Sequence, residues 1–177
     1  MKRWLSLFAL ALALGLGCAA EPHGAAPADD VTMAVLGTVR ALHHEADVFE
    51  HAGDYARASQ AVRRVLAIEY PRGMLEAPDL RADAWGRLAE LALRAGNADD
   101  ALSQANAGLE EARAENVFRA RLMMVKGQSL GALADRARDV GDAAAERRHR
   151  DEALEALEAS IAMNQRVLSR LADGGAR

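Results

Sequence analysis

The stretch WGRLAELALRAGNADDALSQA, residues 85 to 105, decides the fold. Trp85, Leu88, Ala89 and Ala92 recur at intervals of three and four up to Gly96, and Ala101 and Ala105 resume that interval beyond it. Such spacing lines one face of a helix, so the stretch reads as two helices meeting at a turn. The turn is Ala95-Gly96-Asn97. Glycine takes the left-handed conformation that closes a helix, and asparagine caps the next one, so the triplet is a stop followed by a start.

The same device recurs at Ala52-Gly53-Asp54 and Val140-Gly141-Asp142. From about Val31 to Leu171 the chain is helix-compatible, broken only at Gly53, between Pro71 and Asp79, at Gly96 and at Gly141. These breaks predict about six helices. Composition agrees: 51% of the residues are apolar but only 4% are aromatic, and Ala, Leu and Arg dominate while β-branched residues are scarce. No alternating apolar and polar run supports a strand. The expected class is therefore all-α, and very short turns between an even number of helices imply three antiparallel helix pairs. A chain of 177 residues holds one compact domain or a short repeat array.

Aligned on their glycines, these stretches resemble the tetratricopeptide repeat, whose pattern runs W-x2-L-G-x2-Y, a turn, then A-x3-F. The second stretch fits with Trp85, Leu88, Ala89 and Ala92 before Gly96 and with Ala101 and Ala105 after it. In the first, Leu42, Ala46 and Phe49 precede Gly53-Asp54-Tyr55, Ala58 and Val62 follow, Pro71 closes the unit, and Glu45 stands where a leucine is expected. In the third, Met123, Gly127 and Leu130 match the first helix seven residues early, and Ala153 and Leu157 match the second seven residues late. Both helices of that pair are thus expected to be one heptad longer. Two helical turns rotate the register by only about 20°, so Leu130, Leu133, Ala134 and Ala137 repeat the apolar face one heptad on. The resemblance implies a superhelical array with repeats at about 31–71, 80–115 and 117–171, in a domain spanning 31–172 with a short tail at 173–177. Its last hairpin is extended, roughly 117–140 against 142–171. The hairpin tip carries Asp135, Arg136, Arg138 and Asp139 opposite Glu146, Arg147, Arg148 and Arg150, which reads as a solvated surface or a docking handle.

Residues 1–20, MKRWLSLFALALALGLGCAA, place Lys2 and Arg3 ahead of an apolar run and small residues, the layout of an export signal. Leu-Gly-Cys at its end resembles the lipobox of bacterial lipoproteins, with Gly17 before a lone Cys18 as the lipid-bearing residue and Gly15 where leucine is preferred. Cleavage after Ala20 is the competing reading. Residues 21–30, EPHGAAPADD, read as a flexible tether. The resemblance implies an exported protein on the periplasmic face of a bacterial membrane, anchored by lipid to the outer membrane. Loss of Lys2 and Arg3 takes the formal charge from −4 to −6, which gives no electrostatic pull toward nucleic acid.

Three motifs compete for a chemical role. Gly127-Gln128-Ser129-Leu130-Gly131 spells the G-x-S-x-G of a nucleophile elbow, but that motif needs a strand entering the turn, and here both flanks are helical. Gly127 and Gly131, four apart, instead suggest close helix contact. His44, Asp47 and His51 sit at spacings of three and four and would share one helix face, as metal ligands can. With them the chain reads alternatively as a small metal- or haem-handling bundle. No H-E-x-x-H, C-x-x-C or C-x-x-C-H is present. The expectation is therefore no enzyme and no cofactor.

The tetratricopeptide resemblance supplies the third reading. In that family the first helix of each pair lines a concave groove that receives peptides. Its groove-facing places fall on Arg40, His43, Asp47, Glu50 and His51, then Asp83, Glu90, Leu93 and Arg94, then Arg121, Met124 and Gln128. The set by which some members clamp a C-terminal carboxylate is not reproduced, because Gly86 and Glu90 hold its places. The resemblance implies a scaffold or assembly factor whose partner is another protein or a peptide, of basic or mixed charge, with binding that varies between about pH 6 and 7 through the histidines.

Overall fold

The computed structural model describes residues 27–174. Export signal, Cys18, the tether as far as residue 26 and the tail from residue 175 lie outside the described residues. Six helices run in order: α1 Pro27–His51, α2 Tyr55–Leu66, α3 Ala77–Arg94, α4 Ala98–Glu111, α5 Val117–Asp139 and α6 Ala143–Gly174. Among the described residues there is no strand. The all-helical expectation is met, and α5 and α6 run for 23 and 32 residues. Two edges differ. α1 begins at Pro27, inside the expected tether, because a proline that lacks an N–H suits the first helical turn. α6 runs on to Gly174, two residues into the expected tail.

The three glycine turns are built alike. Gly53, Gly96 and Gly141 all have positive φ, at 76°, 77° and 79°. Each glycine N–H donates to the carbonyl three residues back, and the next N–H donates to the carbonyl five residues back, at 2.9 to 3.0 Å. That pair of bonds is the Schellman closure. Asp54, Asn97 and Asp142 then accept the N–H of Arg57, Asp100 and Ala145 and so cap the following helix. Like triplets in the sequence thus produce the same hydrogen bonding in space.

Consecutive helices pack against each other along the chain, and α3 also packs on α5. Val39, Leu42 and Ala46 of α1 enclose a core with Ala58, Ala61, Val62 and Val65 of α2 and Ala84, Leu88 and Leu91 of α3. Glu45, the polar residue in a leucine place, turns aside to pair with Arg64 of α2 at 2.9 Å. Further along, Ala82, Ala112 and Leu122 form one cluster with Trp85 and Phe118, and Ala89, Ala105 and Val125 form another with Leu93. Small residues bring the helices close. A Cβ on Gly108 would fall 2.6 Å from Leu122 and 2.7 Å from Trp85, and one on Gly127 would fall 2.7 Å from Leu157. Gly131, by contrast, has nothing within 4 Å of that position, so of the two glycines only Gly127 makes the expected close contact.

Polar ties finish the frame. Asn116 caps α5 by accepting the Arg119 N–H and donates its amide to Asp79 at 2.6 Å, which fixes the start of α5 against the start of α3. Arg119 donates to the carbonyls of Leu109 and Ala112 at the open end of α4. Ser160 of α6 donates to the Ala120 carbonyl at 2.7 Å. Ser129 is fully buried and donates to the Val125 carbonyl at 2.8 Å, so it is a mid-helix serine with no elbow around it.

Candidate functional site

The face that draws together α1, α3 and α5 is a chain of ion pairs. On α3 the residues Asp83, Arg87, Glu90 and Arg94 follow one another at steps of four, three and four, so one helix face carries alternating charge. On α1 the matching row is His43, Asp47, Glu50 and His51. Arg87 reaches across from α3 to Asp47 at 2.6 Å and also to Glu50. Arg94 takes the other oxygen of Glu50. On the far side Arg121 of α5 holds Glu90 with two bonds, 2.8 and 2.6 Å, and also meets Asp83. Arg87 lies 4.0 Å from Glu90, which joins the two halves, and His43 Nε2 lies 3.5 Å from Asp83.

Exposure divides this network into a floor and a lip. The side chains of Glu50, Arg87 and Glu90 are only 11%, 16% and 17% exposed, whereas Asp47 and Arg94 are 47% and 49% exposed. Asp47, Glu50, His51, Arg87 and Arg94 together line an open cleft of about 460 Å³. Floor charges are costly to bury alone, and each here has an opposite partner. Hydrogen bonding to Glu90 holds the Arg121 guanidinium above its ordinary range, against the opposing effect of burial. Burial pushes the His43 imidazole below its usual value; Asp83 and Asp47 oppose that shift, while Arg87 and Arg121 add to it.

The chain matches no family model, no curated protein and no solved structure with which it was compared. What the site can do therefore rests on its own geometry.

Of the residues expected to line a groove, His43, Asp47, Glu50, Asp83, Glu90, Arg94 and Arg121 are brought together in this network. His51 sits at the lip, and its Nδ1 lies 2.6 Å from the Asp47 carbonyl. Arg40, Met124 and Gln128 are exposed along the same helices, outside the network. Leu93 is half-buried and packs against Ala89, Ala105 and Val125. For the metal reading, His44, Asp47 and His51 do not assemble: His44 is exposed, and Asp47 is committed to Arg87. Among the described residues no group of three or more His, Cys, Asp or Glu side chains is arranged to hold a metal ion. One central residue escaped the sequence reading. Arg87 touches three carboxylates, and its signal was the alternating charge on α3, visible in the sequence as Asp83, Arg87, Glu90 and Arg94.

Proposed function

We propose that this chain is a tetratricopeptide-like array of three antiparallel helix pairs that acts as a non-catalytic scaffold or assembly factor, binding a protein or peptide at the bacterial cell envelope. The observation that carries this reading is the convergence of charged side chains from α1, α3 and α5 on one face that opens into a cleft. Three identical helix closures, and the opposed contacts of Ala120 with Ser160 and of Gly127 with Leu157, support the repeat of antiparallel pairs. Because the floor carboxylates already hold arginines, the lip offers Asp47, Arg94 and His51 together. It suits a polar segment that carries both signs of charge.

Export and lipid attachment through Cys18 belong to the same proposal and rest on the sequence. No helix among the described residues is long and apolar enough to cross a membrane. A Cys18→Ser variant is expected to leave the membrane fraction; if it stays there, lipidation is not the means of attachment. For the groove, affinity capture from the native envelope should lose its specific partner with His51→Ala, Arg94→Ala. Recovery of the same partners by that variant, with unchanged helical content, overturns binding at this lip.

A further inference from the structure

The outer face of α6 carries a different pattern from the cleft. Ala153, Ala156, Ser160 and Met163 are buried, and Ser160 is tied to α5. Leu154 and Ile161 each stand one residue beyond Ala153 and Ser160, so they are turned about 100° away from that buried row. Leu154, Ile161 and Leu168 are 54%, 57% and 64% exposed and lie seven residues apart. Exposed apolar residues scattered singly mean little, but three repeating every seventh residue form a narrow strip along one side of α6 on which a second helix can lie.

Beside the strip stands a row of carboxylates. Asp151, Glu152, Glu155 and Glu158 are all exposed, and none forms an ion pair among the described residues. From residue 151 to residue 165 α6 contains no Lys or Arg. Arg150, just before this segment, is engaged by Glu146, and Arg166 and Arg170, just after it, by Glu115. Arg147 and Arg148 stand one turn before Asp151 and Glu152, so the face presents an apolar strip whose middle, at Glu155 and Glu158, is flanked by carboxylates with no ion pair among the described residues.

We propose that this face of α6 docks a basic amphipathic helix from another protein, at a site separate from the cleft on α1, α3 and α5. Apolar side chains of that partner fill the seam between Leu154, Ile161 and Leu168, and its lysines or arginines meet Glu155, Glu158 and Asp151. The charge row selects the partner's sign and speeds encounter, and the apolar strip holds the complex once formed.

The test uses the full-length protein and a synthetic helical peptide of about three heptads with leucine at the seam positions and lysine beside them. Its twin carries glutamate in place of each lysine. Fluorescence anisotropy is expected to show binding of the basic peptide that weakens with added salt, and none of the acidic twin. Ile161→Gln with Leu168→Gln should weaken binding about tenfold or more, and Glu155→Gln with Glu158→Gln should weaken it roughly threefold. His51→Ala with Arg94→Ala should bind the peptide as wild type does, which separates this surface from the cleft. Equal binding of both peptides, binding of neither, or unchanged affinity in the α6 variants overturns the proposal. So does a dimer in light scattering that Ile161→Gln dissolves, since a second copy would then cover the seam.

Discussion

On the face shared by α1, α3 and α5, Asp47, Glu50, Asp83 and Glu90 are folded onto Arg87, Arg94 and Arg121, whereas along α6 Asp151, Glu152, Glu155 and Glu158 are exposed with no ion pair among the described residues. Each region carries four carboxylates, and the two differ in what those charges do. In the first, charge joins helices that come from distant parts of the chain. In the second, the helix is already held by its other side, where Leu157 lies against Gly127 of α5 and Ser160 bonds the Ala120 carbonyl, and its carboxylates are left exposed. Acidic residues are thus architecture at one end and surface at the other, and only the partner groups within reach decide which.

The largest effect is expected where α6 is held. Gly127→Val should destabilise the fold by about 3 kcal/mol in urea unfolding, because even its Cβ would lie 2.7 Å from Leu157 and 3.0 Å from the Ala153 carbonyl, backbone that cannot swing aside. Gly131→Ala, four residues on, meets nothing within 4 Å and should stabilise α5 by roughly 0.5–1 kcal/mol. If both substitutions cost the same, close packing is not what secures the last pair. Next comes Arg87→Ala, which strands Glu50 and Asp47. A fully buried pair broken this way loses about 3–5 kcal/mol. Because Arg94 still covers Glu50 and Asp47 is half exposed, about 2 kcal/mol is the expected loss here, read as a shift in the urea midpoint at constant slope.

Much of this was legible in the sequence. Gly53, Gly96 and Gly141 with their Asp or Asn successors announced every tight turn, because a left-handed residue and a side-chain cap are local requirements that one triplet satisfies. The heptad offset of Gly127 and Leu157 announced the long last helices, because apolar period is also local. Pairing of charges was not. Asp47, Glu50, Asp83 and Glu90 looked like an acidic lining for a basic partner, and only their distances to Arg87, Arg94 and Arg121 show that they are largely spoken for. The central place of Arg87 depends on two helices crossing, which no single stretch encodes. Leu93 shows a related limit. One face of a helix is wide enough to serve both the cleft and the core, and the half-buried Leu93 packs on Val125 at that boundary.

The pH response tests the charged side of the comparison more gently. Burial holds the folded-state pKa of His43 below its ordinary value of 6.5, with Asp83 and Asp47 pulling upward and Arg87 and Arg121 downward. In the unfolded chain His43 takes up its proton first as the pH falls, so acid favours unfolding. This contribution is whole above about pH 6.5 and is lost as pH drops through that value toward the folded-state pKa. His43→Gln should flatten the decline in urea midpoint between pH 7 and 5 relative to wild type. A decline of the same steepness in the variant would mean that other groups carry it.

The smallest expected effect draws the contrast most sharply, because it makes one chemical change in two places. Glu90→Gln removes a charge that is 17% exposed and bonded twice to Arg121, so it leaves a part-buried guanidinium with a weaker acceptor and should lower the Tm measurably. Glu158→Gln removes an exposed charge with no partner among the described residues and should leave the Tm unchanged. Salt should not alter the Glu158→Gln result, since Glu158 has no pair among the described residues to screen, while a partly buried pair such as Arg121 with Glu90 is only weakly screened. If Glu158→Gln lowered the Tm as much as Glu90→Gln, the α6 carboxylates would belong to the fold, and the surface they line would have no charge left to offer a partner.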